Sequence, residues 1–267
     1  MDFRGRSVVL TGASKGIGAR LAERLAERGA RLTLAARSAG ALEEVAGRCR
    51  QLGGEAIVAP TDVADAEACG ALVARAVEAW GAIDAVVHNA GISMWARFDE
   101  VEDLGVFERI MRVNYLGPVY LTHHALPHLK RSRGLLVAIS SLTGKTGVPT
   151  RSGYAASKHA LQGFCDSLRI ELRHTGVDVC VISPGFVDTD IRATALGGDG
   201  ASLGASPRDE RENMSVDECV EIVVEAMEAR RREVVMTGLA KAGMALKLIS
   251  PRAVDWITAR KIGDPGK

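Results

Sequence analysis

Short, continuously apolar segments alternate along this chain with longer segments in which apolar residues recur every three or four positions. The short segments are typical of parallel strands covered on both faces, and the longer ones are typical of amphipathic helices. The predicted strands are Ser7–Leu10, Arg31–Ala35, Glu55–Ala59, Asp84–His88, Leu135–Ile139, Val177–Ile182 and Glu233–Met236. The predicted helices are Ile17–Arg28, Ala39–Leu52, Ala64–Trp80, Val101–Arg112, Leu116–Arg131, Tyr154–His174 and Ser215–Arg230. Because crossovers between parallel strands are right-handed, this alternation predicts a single doubly wound, Rossmann-like α/β domain of about seven parallel strands with helices on both faces.

The alternation of strands and helices covers residues 1–236, which form the predicted cofactor-binding and catalytic domain. Two segments fall outside this alternation. The first is a C-terminal tail, residues 237–267, in which Leu239, Leu246 and Ile249 recur at roughly helical spacing. The tail also carries an apolar pair, Trp256 and Ile257, and five positively charged residues, Lys241, Lys247, Arg252, Arg260 and Lys261. It is expected to pack on the same domain, on a partner subunit or on a membrane surface.

The second segment is Gly197–Ser206, which is small, polar and rich in glycine. Long loops in compact domains often cover binding clefts. This segment is therefore expected to be either a plain surface loop or a mobile lid.

Composition narrows the function classes. The 267 residues are 47% hydrophobic and 25% charged, values typical of a globular protein rather than a disordered one. A net charge of +1 and an aromatic content of 4% argue against a dedicated nucleic-acid binder, which needs a basic surface and stacking rings. The chain is expected to bind a small molecule and no nucleic acid.

The cysteines indicate a reducing environment. Their number is odd, their spacings are wide and no CxxC pair occurs, so neither a disulfide framework nor a metal site is expected. The cysteines are Cys49, Cys69, Cys165, Cys180 and Cys219. The sequence from Met1 runs directly into the first strand, leaving no room for a signal peptide, and no run of about 18 apolar residues predicts a spanning helix. A cytoplasmic location is the expectation.

The first predicted strand ends in a glycine-rich turn, Thr11–Gly18, and a helix follows at once. Gly12 permits a sharp turn, Gly16 lets the backbone approach a pyrophosphate, and Gly18 lets the helix pack closely on the strand. The start of the helix then presents free N–H groups and the positive end of its dipole to the phosphates. This arrangement predicts a dinucleotide site.

The end of the second strand bears on the choice of dinucleotide. NAD-binding proteins place an Asp or Glu there to bind the ribose 2′-hydroxyl. Here the sequence is Ala35-Ala36-Arg37-Ser38, so the carboxylate is missing and an arginine is present. A guanidinium binds a 2′-phosphate in a bidentate manner, and Lys15 could add a second cation. NADP(H) is therefore predicted over NAD(H).

Further motifs follow the later strands. They are Asp62-Val63, His88-Asn89-Ala90-Gly91, Asn114, Ser141, Tyr154-Ala155-Ala156-Ser157-Lys158 and Pro184–Thr189. With Thr11–Gly18, this ordered set resembles the short-chain dehydrogenase/reductase family, in its branch with the TGxxxGxG and YxxxK motifs. The resemblance spans roughly residues 5–236. It departs at His88, where the family's NNAG motif has an asparagine.

The resemblance implies roles for these residues. The catalytic residues would be Asn114, Ser141, Tyr154 and Lys158; Ser141 fits the family spacing to Tyr154 better than Ser140 does. The residues expected to bind the cofactor, from the turn, the second strand and the resemblance together, are Thr11, Gly12, Ser14, Lys15, Gly16, Ile17, Gly18, Arg37, Ser38, Asp62, Val63, Asn89, Ala90, Gly91, Tyr154, Lys158, Pro184, Gly185, Val187 and Thr189. Among these, the resemblance gives the Asp62-Val63 pair a contact with adenine and Thr189 one with the nicotinamide carboxamide.

The chemistry of the YxxxK pair can be argued directly. A free tyrosine has a pKa near 10, and a catalytic acid works best when its pKa lies closer to the working pH. Lys158 lies four residues after Tyr154 on the same helix face, where its charge would favour the phenolate. Ser141 would hydrogen-bond the substrate carbonyl oxygen as charge develops there. By resemblance, Lys158 would also bind the nicotinamide ribose, and Asn114 would hold a water in a proton relay.

The expected function is NADP(H)-dependent interconversion of a carbonyl and a secondary alcohol. Met94 and Phe186 weakly favour a lipophilic substrate, such as a steroid, a retinoid or a 3-oxoacyl compound. Met94, Trp95 and Phe98 could line the substrate pocket or cover the core. The alternatives are a non-catalytic NADP-binding scaffold or redox sensor on the same fold, and an epimerase or dehydratase. The resemblance also implies a homodimer or homotetramer built on the fifth and sixth helices.

Overall fold

The computed structural model describes residues 1–207 and 213–262, and its centre is a seven-stranded sheet. The strands are β1 Ser7–Thr11, β2 Arg31–Ala36, β3 Glu55–Pro60, β4 Ala85–His88, β5 Leu135–Ile139, β6 Asp178–Ser183 and β7 Glu233–Val235. All neighbouring pairs are parallel, and the strand order is β3-β2-β1-β4-β5-β6-β7. The predicted single Rossmann-like domain is thereby confirmed.

Helices cover both faces of the sheet. They are α1 Gly16–Glu27, α2 Ala39–Gln51, α3 Ala66–Trp80, α4 Gly105–Met111, α5 Gly117–Ser132, α6 Ser152–Glu171, α7 Val216–Glu228, α8 Gly238–Ile249 and α9 Pro251–Ile262. One core layer joins the sheet to α1, α2 and α7, and the other joins it to α3, α5 and α6. Every residue of β1 and β5 is buried, which explains why the strands are continuously apolar rather than alternating.

The segment between α3 and α6 differs most from its prediction. The helix expected to begin at Val101 begins at Gly105, because the Asp103 carboxylate accepts the Gly105 N–H at 2.8 Å and organises the turn before it. A π-helical turn, Arg112–Leu116, then joins α4 to α5. Hydrophobic periodicity cannot reveal such a turn, since it adds one residue per turn without interrupting the helix.

The glycine-rich segment Gly197–Ser206 packs against the loop that contains Glu102 and Asp103. The Gly198 carbonyl accepts the N–H groups of Glu102 and Asp103, and Leu196 pairs with Met94 in an isolated bridge. The segment is thus hydrogen-bonded to the loop that precedes α4. Of the two expectations for this segment, these contacts favour the surface loop over the mobile lid.

The chain continues beyond β7 into two helices. Ser250-Pro251 separates α8 from α9, because proline cannot continue a helix but is well suited to begin one. Within the described residues, no helix combines the length and apolar character needed to cross a bilayer.

The strand order creates a crevice between β1 and β4. From β1 the chain first moves towards one edge of the sheet, and from β4 onwards it moves towards the other edge. Ligands of such folds bind at this reversal, beside the carboxyl ends of the strands. At the opposite end of the same strands, the Asp84 carboxylate accepts the Ser7 N–H and an Arg6 N–H, both at 2.9 Å.

Replacing Asp84 tests how much this link contributes. Asp84→Ala leaves the buried Ser7 N–H without its carboxylate, so we expect the free energy of unfolding to fall by about 2 kcal/mol and the Tm by about 5 °C. Arg31→Ala is the control, because it removes only the exposed Arg31–Glu55 ion pair and should cost less than about 1 kcal/mol. Thermal denaturation followed by circular dichroism measures both; equal losses would contradict the prediction.

Candidate active site

The glycine-rich turn lies where the fold predicts a ligand crevice. Gly12 and Gly16 have φ values of +65° and +55°, which L side chains rarely adopt. A Cβ on Gly18 would lie 2.1 Å from the Gly12 carbonyl oxygen, so a side chain there would separate α1 from the turn. The glycines expected from sequence to shape this turn therefore do so, and the start of α1 faces the crevice.

Asn89 clamps the turn to β4. Its Nδ2 donates to the carbonyl oxygens of Thr11 and Gly12, both at 3.1 Å. In return, the Thr11 hydroxyl oxygen accepts the N–H groups of Asn89 and Ala90 at 3.1 Å. The Asn89 side chain thus connects the two strands on either side of the crevice.

His88 occupies the position where the resemblance expected asparagine. The ring is buried, and Nε2 lies 2.9 Å from the Thr122 hydroxyl oxygen on α5. Burial lowers the pKa of His88 to about 3, so the ring is neutral at physiological pH. A neutral imidazole can therefore replace an amide here, since both offer a polar atom to the same hydroxyl.

Tyr154, Lys158 and Ser141 meet in one cavity at the carboxyl ends of the central strands. Tyr154 and Lys158 are both buried on the same face of α6, and Nζ of Lys158 lies 5.7 Å from the centre of the Tyr154 ring. Nζ also donates to the Ile139 carbonyl oxygen at 2.9 Å. Ser141 follows β5 and hydrogen-bonds the Tyr154 side chain.

The two candidate serines face different surroundings. Ser140 is buried, and its hydroxyl accepts a hydrogen bond from the Gln162 amide at 3.2 Å. Ser141 instead extends towards the phenol, as the sequence spacing favoured. Of this pair, only Ser141 is arranged to share a substrate oxygen with Tyr154.

Asn114 lies in the π-helical turn. Its amide donates to the Ile92 carbonyl oxygen and to the Ser157 hydroxyl, at 2.9 and 3.0 Å, and its carbonyl oxygen accepts the Ile92 N–H at 2.9 Å. Both Asn114 Oδ1 and Lys158 Nζ border Gly91, at 3.3 and 3.7 Å from the position a Cβ would take. The π-helical turn thus places the Asn114 amide close to Lys158, with both side chains next to Gly91.

Burial and nearby charge act in opposite directions on the Tyr154 phenol. Burial raises its pKa, while the Arg151 guanidinium and the hydrogen bond with Ser141 lower it. From sequence, Lys158 was expected to be the acidifying cation, whereas the charge that lowers the pKa of Tyr154 in the structure is that of Arg151. Burial lowers the pKa of Lys158 itself to about 8.

Arg151 was not identified from the sequence. It precedes α6, is buried, and places Cζ 4.5 Å from the Trp95 ring, 5.8 Å from the Tyr154 ring and 5.7 Å from the Phe186 ring. The sequence signal that could have identified Arg151 is its spacing, three residues before the YxxxK tyrosine. A residue at the start of a helix lies close to the side chains of the first helical turn, where Tyr154 is located. The guanidinium forms part of the cavity wall.

The segment after β6 forms the opposite wall. The cavity has a volume of about 240 Å³ and is partly open to solvent. Its lining includes Ile17, Asn89, Gly91, Ser141, Leu142, Val148, Tyr154, Lys158, Pro184, Gly185, Phe186, Val187, Thr189, Ile191 and Arg192. Thr189 reaches back to the glycine-rich turn, where its Cγ2 lies 3.3 Å from the position of a Cβ on Gly16.

The remaining predicted cofactor residues lie along the adjacent edge of the sheet. Lys15, Arg37, Ser38 and Asp62 are exposed at the ends of β1, β2 and β3. Ser38 caps α2 by accepting the Ala41 N–H at 3.4 Å. Half-buried Ser14 lies in the glycine-rich turn. Val63 is buried in the core, so its side chain does not face solvent as Asp62 does.

Two of the residues considered for the substrate pocket have other roles. Met94 is fully buried, and its sulfur accepts the Gly153 N–H at 3.2 Å. Phe98 is exposed and packs edge-to-face on Phe107. Trp95 contributes to the site indirectly, through its stacking with Arg151. The described residues hold no cluster of three or more potential metal ligands.

Sequence comparison finds similarity to one family. The family model for short chain dehydrogenases matches residues 6–197. The chain is 37% identical to the dehydrogenase/reductase SDR family protein 7-like of Anopheles gambiae, covering 97% of this chain and 84% of that protein. It is also 42% identical over 185 residues to the 11-beta-hydroxysteroid dehydrogenase-like 4A of Arabidopsis thaliana, covering 69% of this chain and 62% of that protein.

Solved structures are similar to the fold as a whole. An alcohol dehydrogenase of Thermococcus sibiricus, complexed with 5-hydroxy-NADP, matches with a TM-score of 0.76 and 30% identity, covering 86% of this chain and 94% of that one. A short chain dehydrogenase/reductase of Burkholderia phymatum, in complex with NAD, matches with a TM-score of 0.83 and 24% identity, covering 95% and 96%. At that lower identity, the second match speaks to the fold alone.

The buried neutral histidine makes a prediction about acid stability. Unfolded His88 titrates near its ordinary pKa of 6.5, whereas in the folded protein it titrates near 3. The unfolded state therefore binds the additional proton, and the folded protein should lose about 1.4 kcal/mol per pH unit from this group as the pH falls below 6.5 towards 3. His88→Asn removes this proton-binding group and should flatten the pH dependence of stability.

Urea denaturation at pH 7, 6 and 5 measures this effect. The difference in unfolding free energy between His88→Asn and the wild type should move in favour of the variant as the pH falls. His159→Asn, at an exposed position on α6, is the control and should retain the wild-type slope. Parallel slopes for His88→Asn and the wild type would contradict the prediction.

Proposed function

The chain belongs to the short chain dehydrogenase family, and we propose that it is an NADP(H)-dependent oxidoreductase that interconverts a carbonyl and a secondary alcohol on a lipophilic small molecule. Its relatives are named as dehydrogenases and reductases. The observation that carries the proposal is the convergence of Tyr154, Ser141 and Lys158 in one cavity beside the glycine-rich turn. Family membership alone would not distinguish an enzyme from a non-catalytic relative.

The proposed acid is Tyr154. Burial keeps its phenol protonated at neutral pH, so it can donate a proton to a substrate carbonyl oxygen placed between it and Ser141. The Ser141 hydroxyl would stabilise the charge that develops on that oxygen. Bound NADPH would supply the hydride. The Arg151 charge would then favour the phenolate that remains after proton transfer.

Lys158 is suited to returning the proton. With a pKa of about 8, its amine changes protonation state close to neutral pH, unlike an ordinary lysine. The adjoining Asn114 amide would keep the lysine in contact with the relay that the family resemblance implies. Burial of the lysine thus serves proton transfer at physiological pH.

The residues of the crevice fit a dinucleotide with a 2′-phosphate. The glycine-rich turn leaves no room for side chains at Gly12 and Gly18, because Asn89, Ala90 and the turn's own backbone pack directly against them. This packing would hold the turn so that the backbone at Gly16 can approach the pyrophosphate. Arg37 is exposed directly after β2, where an NAD-binding protein would carry a carboxylate, and Lys15 is exposed at the start of α1. These two cations support NADP(H) as the preferred cofactor, and the similar alcohol dehydrogenase of Thermococcus sibiricus is complexed with 5-hydroxy-NADP.

The cavity wall supports a lipophilic substrate. Leu142, Val148, Phe186 and Ile191 line the same cavity as the catalytic residues. A relative covering 69% of this chain is named an 11-beta-hydroxysteroid dehydrogenase-like protein. A steroid-like or retinoid-like ketone or a 3-oxoacyl compound is the substrate class that we propose. A homodimer or homotetramer built on α5 and α6 is the assembly that we propose.

Replacing the proposed acid tests the mechanism. Tyr154→Phe should lower kcat by about 10²–10⁴-fold, the usual contribution of a general acid, while the Kd for NADPH changes little. A panel of lipophilic ketones, assayed by loss of NADPH absorbance, provides the measurement. Tyr115→Phe is the control and should retain activity, because Tyr115 lies away from the cavity and packs its ring against Phe164. NADPH binding without Tyr154-dependent turnover would instead favour a scaffold or redox sensor.

Replacing Arg37 tests the cofactor preference. Arg37→Ala should raise the KM for NADPH at least tenfold and leave the KM for NADH nearly unchanged, because a charge-assisted hydrogen bond contributes about 1.5–3 kcal/mol. Arg31→Ala is the matched control, since it removes an arginine from the other end of the same strand. A wild type without NADPH preference, or an Arg37→Ala variant that keeps it, would contradict the proposal.

A further inference from the structure

The C-terminal helical pair, α8 and α9, carries large apolar side chains that face solvent. Leu248 and Ile249 are 89% and 84% exposed, and Leu239 and Trp256 are 66% and 62% exposed. Val254 is buried, so the two helices pack on each other through part of their surface while these side chains remain outside. An amphipathic helix in water normally turns such residues inwards.

Positive charge is concentrated on the same pair. Residues 238–267 contain six Lys or Arg and two Asp, for a net charge of +4. Residues 1–237 contain 28 Lys or Arg and 31 Asp or Glu, for a net charge of −3. A near-neutral chain is thus divided into an acidic body and a basic, apolar C-terminal part.

The exposed face of α9 combines both properties. Arg252, Trp256 and Arg260 follow each other at intervals of four and therefore lie on one face, and Cζ of Arg260 lies 5.2 Å from the Trp256 ring. Tryptophan is favoured at the boundary between lipid headgroups and acyl chains, and flanking arginines extend to the headgroups. This face therefore suits the surface of a lipid bilayer whose headgroups are negatively charged and whose interior is apolar.

The helical pair also adjoins the cavity. Thr237, which caps α8, lies 3.8 Å from the position of a Cβ on Gly185, a residue of the cavity wall. Further along α8, Lys247 donates to the Lys145 carbonyl oxygen at 2.8 Å, next to Thr146 in the wall. Whatever binds the helical pair is thus held beside the cavity.

We propose that the C-terminal helical pair binds the surface of anionic phospholipid membranes through its exposed apolar side chains and its arginines and lysines. Lipid binding is independent of the proposed function. Its consequence, that the cavity receives a lipophilic substrate from the bilayer, rests on that function. A second copy of the chain fits this face less well, because a two-fold interface would bring two such basic surfaces together.

Vesicle co-sedimentation tests the proposal on the full-length protein. Binding is compared between vesicles of phosphatidylcholine alone and vesicles of equal parts phosphatidylcholine and phosphatidylglycerol, at low and high salt. We expect the protein to bind the anionic vesicles, to bind them less at high salt, and to bind the neutral vesicles weakly.

Two variants separate the charge from the apolar side chains. Arg252→Gln with Arg260→Gln should weaken binding to anionic vesicles about 30-fold, and Leu248→Ser with Ile249→Ser at least tenfold. Ile170→Ser is the matched control, because Ile170 is equally apolar and 65% exposed on α6. It should bind as the wild type does. Retained NADPH binding and an unchanged circular dichroism spectrum establish that each variant is folded.

Three outcomes would overturn the proposal. The first is that the protein does not bind anionic vesicles, and the second is that the Ile170→Ser control loses as much binding as the Leu248→Ser, Ile249→Ser variant. The third is that vesicle binding is absent and light scattering shows an oligomeric wild type that dissociates when Leu248→Ser and Ile249→Ser are introduced. The last result would identify the face as an interface between copies. None of these outcomes depends on turnover, so failure of the proposed oxidoreductase activity would be seen separately.

Discussion

The site depends on one connection, the clamp by which Asn89 holds the glycine-rich turn against the end of β4. Its amide donates to two carbonyl oxygens of the turn, and the Thr11 hydroxyl accepts two N–H groups in return. These hydrogen bonds fix the distance between the two strands where the strand order reverses. The crevice and the start of α1 take their positions from that distance, while α6 is positioned by its own packing on β6 and α4.

Burial determines the chemistry within the crevice. The same low-polarity surroundings that raise the pKa of the Tyr154 phenol lower the pKa of the Lys158 amine to about 8, because both effects disfavour the charged form. The acid therefore stays protonated, while the amine loses its proton more readily than an ordinary lysine does. Arg151 offsets part of the burial effect on the phenol from a position held by Trp95 and Phe186. The electrostatics of the site therefore involve a second cation, Arg151, besides Lys158 of the YxxxK motif.

The C-terminal helical pair shows a different balance. In the two main core layers, apolar side chains pack between the sheet and its helices, whereas α8 and α9 leave Leu248, Ile249 and Trp256 in solvent beside basic side chains. Exposed area of this kind is unfavourable unless another surface covers it. Because the helical pair lies beside the cavity, a surface that covers these apolar side chains would also lie beside the cavity.

The sequence by itself determined the alternation of strands and helices and the glycine-rich turn, and its resemblance to a known family grouped Tyr154, Lys158 and Ser141 as one set. Buried parallel strands must be continuously apolar, and a turn that approaches phosphate requires glycine, so local patterns carry this information. Only the tertiary structure decided the π-helical turn at Asn114, the burial of Met94 and the approach of Arg151 to Tyr154. These features arise where segments distant in sequence pack together, because burial and charge at a given atom are set by neighbours that periodicity does not identify.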